Sequence, residues 1–225
     1  MNYEEDRNDD IQIDKSYGLS TDRIESLNDN IFAFAMTILV LGFQLPTTIT
    51  KHQLGYVLYN LRPELITYGL AFLALGGLWI AHHNQYHWIK RSNRAFLWIN
   101  IIYLSFVVLI PFSTKILANY HTDQLAVMVF GLNLVICLGI LYIHWKYATR
   151  NERLVDQEIN GHIVKLIGAR ILSVLGVIIV ALAISFFSVE ISITLLLLAQ
   201  FSSFIPTQTI DKLFHLKGLN SNHAK

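Results

Sequence analysis

The chain has a single cysteine, Cys137, in 225 residues. One cysteine excludes a disulfide framework and a cysteine metal cluster within the chain. Charge is also scarce: Asp, Glu, Lys and Arg together make up 15% of the residues, against roughly 25% in soluble domains. The formal net charge of +1 gives no reason to expect nucleic acid as a partner. Phosphate-binding glycine loops, nucleophile elbows and zinc-protease motifs are all missing, so the chain is not expected to be an enzyme. Residues 1–20 hold Glu4, Glu5, Asp6, Asp9, Asp10 and Asp14 but only Arg7 and Lys15. A secretory signal needs a basic start and an apolar stretch. This segment is expected instead to be a disordered acidic tail.

Apolar sequence is what the chain has in excess, 53% of its residues. It falls into six runs: 30–45, about 65–86, about 95–117, about 125–145, and two within 163–205, closed by Pro206. A helix needs roughly 17–25 residues to cross a bilayer's hydrocarbon core. The expected fold is therefore an all-α integral membrane protein of six transmembrane helices over residues 21–206, with a C-terminal tail over 207–225. The turn between the last two runs is placed at 187–190, because Glu190 is the one acid there. Tyr56, Tyr59, Trp79, Trp88, Trp98, Tyr120 and Trp145 lie near run ends, as in an interfacial aromatic belt. Of the Lys and Arg residues in tails and connections, thirteen fall on one side and only Lys51, Arg62 and Lys115 on the other. Both termini are then expected to be cytoplasmic.

Residues 23–46 are the most informative stretch. It opens with Arg23, Glu25 and Asp29, then has no ionisable group from Asn30 to Leu45. An acid at the membrane boundary must cap, pair or face water. Asp29 could be an N-cap of the first helix. At about 1.5 Å per residue, Trp79, His82 and His83 on the second run arrive at the depth of Asn28 and Asp29. Asn100 enters the third run at that level, and Arg170 lies roughly 10 Å into the fifth. Polar groups at one depth should face one another inside the bundle. The expected network is Asn28, Asp29, Trp79, His82 or His83, and Asn100. Arg23 or Arg170 would supply the cation, unless Arg170 snorkels to the headgroups. His83 and His87 have a spacing that can hold zinc, but no Cys or acid accompanies them and no metal site is expected.

Phe34, Ile38 and Leu41 recur at i, i+4, i+7, one face of a helix. Such a stripe can pack against neighbouring helices, or line a hydrophobic pore that gates by dewetting. The Thr37 hydroxyl can bond back to the Ala33 carbonyl or stand beside an ion path. A T-V-G-Y-G filter loop is absent; Leu54-Gly55-Tyr56-Val57 shares letters with it but has no pore helix before it. Any selectivity must then come from side chains. Gly69, Gly76 and Gly77 are expected to allow close helix packing.

Arg23-Ile-Glu-Ser-Leu27-Asn28-Asp29 resembles the R-x-x-x-F-S-D signature that opens the first helix of the lysosomal potassium channel family (transmembrane protein 175 family). The continuation from Ile31 to Leu41 is also similar, as are Trp79-Ile80-Ala81-His82-His83, Trp98-Ile99-Asn100 and Ile110-Pro111-Phe112-Ser113-Thr114. The likeness covers roughly residues 20–120. Leu27-Asn28 stands where the family usually has Phe-Ser, and Phe34 where it usually has isoleucine or leucine. The resemblance implies a potassium-selective cation channel in a prokaryotic cell membrane, a homotetramer of single six-helix units. Its first helix would line a central pore through Phe34, Ile38 and Leu41, with Thr37 as the selectivity candidate. The expected partners are then the chain itself, permeant potassium ions and membrane lipid, without a cofactor. A secondary transporter of a small cation or solute is the competing class. It should show inverted repeats and helices broken at the midplane.

Overall fold

The computed structural model describes residues 21–43, 54–156 and 159–201. They form the α-helices α1 (Thr21–Val40), α2 (Leu54–Asn60), α3 (Arg62–Tyr86), α4 (Arg94–Val108), α5 (Ile110–Asn119), α6 (Gln124–Thr149), α7 (Gly161–Ile184) and α8 (Val189–Phe201), with one 3-10 turn at Arg150–Glu152. The expected tails over 1–20 and 207–225, and the end of the first run at 44–46, lie outside the described residues. Arg62–Tyr86, Arg94–Asn119, Gln124–Glu152 and Gly161–Ile184 are long and apolar enough to cross a membrane, and Val189–Phe201 is a shorter apolar helix. The chain is an all-helical integral membrane protein among its described residues.

Local chemistry sets the helix ends. Asn93, Asp123 and Asn160 cap α4, α6 and α7 by accepting from the backbone N–H groups of Phe96 (2.9 Å), Leu125 (2.8 Å) and His162 (2.9 Å). Each satisfies a donor that the first helical turn leaves open. Pro63 sits in the first turn of α3, where its missing N–H costs nothing. Pro111 divides the third span into α4 and α5. It cannot donate to the carbonyl one turn back, and the Leu109 N–H tightens onto Phe106 O at 3.2 Å. The Thr114 hydroxyl then donates to Ile110 O at 2.7 Å.

The core is built around α3 and α6. Helix α3 packs on α1, α5 and α8, while α6 packs on α4, α5 and α7, and α7 on α8. Leu70, Ala71, Ala74 and Leu75 of α3 are fully buried, as are Phe130, Leu141 and Trp145 of α6. The charged connection after α6 is docked onto the bundle. Leu154 and Val155 are buried, and Ile89 bridges to Val155. The Lys90 N–H donates to Leu154 O at 2.9 Å, and the Asp156 N–H to Trp88 O at 3.0 Å. Two apolar side chains within a charged segment carried the signal.

The glycine expectation needs correction at Gly69 and Gly76, while Gly77 is buried in α3. A Cβ added at Gly69 or Gly76 would meet open space, so neither position requires glycine for packing within this chain. The close approach is at Gly131 on α6, where an added Cβ would lie 3.0 Å from Leu182 Cγ and nearer still to one of its methyl groups. Gly131→Ala is expected to destabilise the α6–α7 contact by about 1–3 kcal/mol, the usual cost of overpacking. A thermal unfolding series in detergent, with Gly76→Ala as the neutral comparison, checks this.

Candidate functional site

The buried face of α1 is Ile24, Asn28, Phe32, Ala35 and Leu39, spaced by three and four residues. Phe32 packs near Tyr103 and His82, with ring centroids 6.2 and 6.5 Å apart. In the middle of this apolar face sits a polar triangle. Asn100 Nδ2 donates to Asn28 Oδ1 at 2.9 Å, and His82 Nε2 lies 3.1 Å from Asn28 Nδ2 and 3.3 Å from Asn100 Oδ1. One ring nitrogen either accepts from Asn28 or donates to Asn100, according to tautomer. All three side chains are buried. The triangle therefore joins α1, α3 and α4 through groups that have no water to turn to. Tyr86 and Tyr103 stack on the His82 ring at 4.5 and 5.6 Å.

Asp29 is separate from the triangle. Its Oδ1 accepts from Trp79 Nε1 at 2.8 Å, on the exposed flank of the α1–α3 contact. Asp29 stands well inside α1, which begins at Thr21, so it is not the N-cap of that helix. Trp79 in turn stacks on His83 at 5.5 Å. His83 is exposed and takes no part in the triangle, and His87 packs edge-on against Trp88. Arg23 is exposed and makes no hydrogen bond or ion pair with the described residues. Arg170 lines a cavity on another face of α3, whose lining includes none of Asn28, Asp29, His82 or Asn100. Asp29→Ala is expected to cost about 1 kcal/mol of stability. A hydrogen bond to a charged group contributes ~1.5–3 kcal/mol when buried, and exposure reduces this one. Asp29→Asn should recover part of the loss in the same unfolding assay.

The other side of α1 is left open by the single chain. Phe34 is 62% exposed and Leu41 75% exposed, while Ile38 at the flank is half-buried. By helix geometry Phe34 lies about 120° round from the buried face. Thr37 is also exposed, and its hydroxyl donates to Phe34 O at 2.8 Å, one residue along from Ala33. With the proton committed to the backbone, the oxygen's lone pairs point outward. The far end of α1 is fastened by Lys115 Nζ, which donates to Gly42 O at 3.4 Å. Leu54 to Val57, the letters that partly match a carbonyl filter, lie on α2, an exposed helix with no buried residue.

A second buried polar group escaped the sequence reading. His144 Nδ1 lies 2.9 Å from Gln85 Oε1, and Gln85 Nε2 donates to Leu141 O at 3.2 Å. The His144 ring stacks on Phe96 at 4.1 Å and stands 5.7 Å from His82. A histidine in the fourth run, which has Asn133 as its other strongly polar residue, was the available signal.

Among the described residues the chain is a helical bundle whose first helix is held through Asn28, His82 and Asn100 and carries an exposed apolar stripe. The comparisons with known proteins narrow the class. The family model described as endosomal/lysosomal potassium channel TMEM175 matches residues 23–111. A potassium channel of Chamaesiphon minutus is 32% identical over 178 residues, covering 77% of this chain and 88% of that one. A potassium channel of Streptomyces collinus is 28% identical over 143 residues, 62% of this chain and 69% of that one. The human endosomal/lysosomal proton channel TMEM175 is 27% identical over 118 residues, 48% of this chain but 23% of its own length. The crystal structure of a lysosomal potassium-selective channel TMEM175 homolog from Chamaesiphon minutus superposes with a TM-score of 0.71 at 27% identity, covering 81% of this chain and 95% of that one. The chain belongs to the TMEM175 family.

Proposed function

We propose that the chain is the subunit of a passive, potassium-favouring cation channel, a homotetramer of six-span units with both termini cytoplasmic, whose ion path is lined by α1. The observation that carries this reading is the asymmetry of α1. One face is fixed into the bundle by Asn28, Phe32, Ala35 and Leu39, while Phe34 and Leu41 stand exposed. An apolar stripe on a helix so firmly held is a surface for copies of itself around an axis. Four stripes would form an apolar constriction, with the Thr37 oxygens beside the path. The high coverage of the Chamaesiphon potassium channel favours potassium over the proton named for the longer vertebrate relatives. The helical α2 supports a pathway without a carbonyl filter loop. No cofactor is needed for passive conduction; potassium is the permeant ion, lipid the solvent, and nucleic acid has no part.

Planar-bilayer recording of the purified protein tests this. Discrete passive steps whose reversal potential favours potassium over sodium are expected. Equal permeability to the two ions would sink the selectivity, and saturable coupled uptake without unitary steps would point to a transporter.

A further inference from the structure

Behind α3, on the side away from the triangle, α3, α6, α7 and α8 enclose a cavity of about 420 Å³. That is within the ~300–1,000 Å³ typical of small-molecule sites. It is open on one side. Leu172 on α7 and Leu198 and Phe201 on α8, near lining residues Ile171 and Gln200 in sequence, are apolar and exposed. The lining is mostly aliphatic, yet Asn84, His87, Arg170 and Gln200 contribute polar groups, and the described lining residues include no acid. Along α7 the lining runs from Ile163 to Ile178, about 22 Å by helix rise. One leaflet of the hydrocarbon core is about 15 Å thick. Asn84 and His87 lie at the C-terminal end of α3, next to the Lys90–Arg91 connection, so two of the polar groups stand toward one membrane face, with Arg170 about 10 Å along α7 from Ile163.

An apolar groove with a cation about midway along its α7 wall, and Asn84 and His87 at one end of its α3 wall, has the charge and shape of one kind of ligand. We propose that this cavity binds an anionic phospholipid, with the phosphate at Arg170, Asn84 and His87 and one acyl chain along Leu138, Val174 and Ile178. A guanidinium has five N–H donors in a fork that matches phosphate oxygens. A partner for Arg170 elsewhere in the chain therefore leaves donors for the lipid. Arg170 is the tenth residue of α7, and a long stem lets a mid-helix guanidinium extend toward the headgroup level. Basic pockets between spans are the usual sites for acidic headgroups. Removal of the acyl chain from water is not the source of affinity here, since the bilayer is already apolar. The headgroup charge supplies the preference, and the groove supplies the fit.

The test is native mass spectrometry of the full chain in detergent, titrated with phosphatidylglycerol or phosphatidylcholine of the same acyl chains. Phosphatidylglycerol is expected to bind wild type about tenfold more tightly, about 1.4 kcal/mol. Arg170→Gln should remove that preference, leaving the two lipids equal. Val174→Trp, which keeps the cation but fills the groove, should weaken both. Each variant is compared only if its size-exclusion profile matches wild type; if Arg170→Gln fails this, Val174→Trp carries the test. Equal binding of the two lipids by wild type, or full retention by either variant, overturns the proposal. So does a wild type that takes up neither lipid, as a groove covered by another copy or by the chain's own C-terminal segment would. Conduction is not read in this experiment, so the lipid site and the channel reading stand or fall separately.

Discussion

Asn28→Ala is expected to destabilise the folded bundle by about 2–3 kcal/mol, more than any other single polar change in α1. The side chain touches both remaining members of the triangle, Asn100 at 2.9 Å and His82 at 3.1 Å. Removing it orphans the Asn100 amide donor in a site with no water. An unsatisfied buried donor costs ~1–3 kcal/mol, beyond a net ~0.5–1.5 kcal/mol for the bond itself. Interhelical hydrogen bonds in bilayers average ~0.6 kcal/mol and reach ~1.7 kcal/mol, which keeps the sum at the lower end. The asymmetry gives a sharper comparison. A triple change, Asn28→Leu with His82→Phe and Asn100→Leu, removes every polar atom of the triangle at similar volume. It should be less damaging than Asn28→Ala alone. Unfolding midpoints in detergent for the two proteins decide the matter. A single variant as stable as wild type would show that the triangle contributes nothing to holding α1.

The sequence made depth legible but not the direction in which each side chain points. Charge at the run ends and a rise of about 1.5 Å per residue put Asn28, Asp29, Trp79, His82 and Asn100 at one level, and the structure joins Asn28 to His82 and Asn100, and Asp29 to Trp79. Successive residues on a helix point about 100° apart. Asn28 and Asp29 therefore part company: one enters the core and the other meets Trp79 at the flank. The same rotation separates buried His82 from exposed His83. The pattern of Leu75, Leu78, His82 and Gln85 in fact marks the inward face of α3. Arg170 shares the depth yet lies on a different side of α3, and only the packing of α7 and α8 determines that. Helix ends were more readable, because Asn93, Asp123 and Asn160 declare them through local chemistry. Gly131 was not, since nothing in its neighbours announces Leu182 from another helix.

The largest functional effect is expected from Ile38→Asn on the proposed lining stripe. Ile38 is half-buried at the flank of α1, between exposed Phe34 and exposed Leu41. An apolar ring closes a narrow path by excluding water, without a physical plug. Four amides in place of four sec-butyl side chains would let water remain in the constriction. Open probability should then rise about tenfold, which corresponds to about 1.4 kcal/mol in the closed–open balance. Potassium preference over sodium should fall, because hydrated ions would pass with their shells intact. Phe34→Ala should act differently, raising unitary current by widening the path more than by wetting it. Neither change touches the anchor: Ile38 lies about 15 Å along the helix from Asn28. Because Ile38 is half-buried, Ile38→Asn is expected to lower the unfolding midpoint slightly, whereas Phe34→Ala, at an exposed position, should leave it at the wild-type value; midpoints are read beside the currents. Planar-bilayer recordings of the two variants beside wild type provide the measurement. Unaltered conductance and open probability in both would mean that the ion path runs elsewhere, and that the bare stripe of α1 serves only to pack one copy against another.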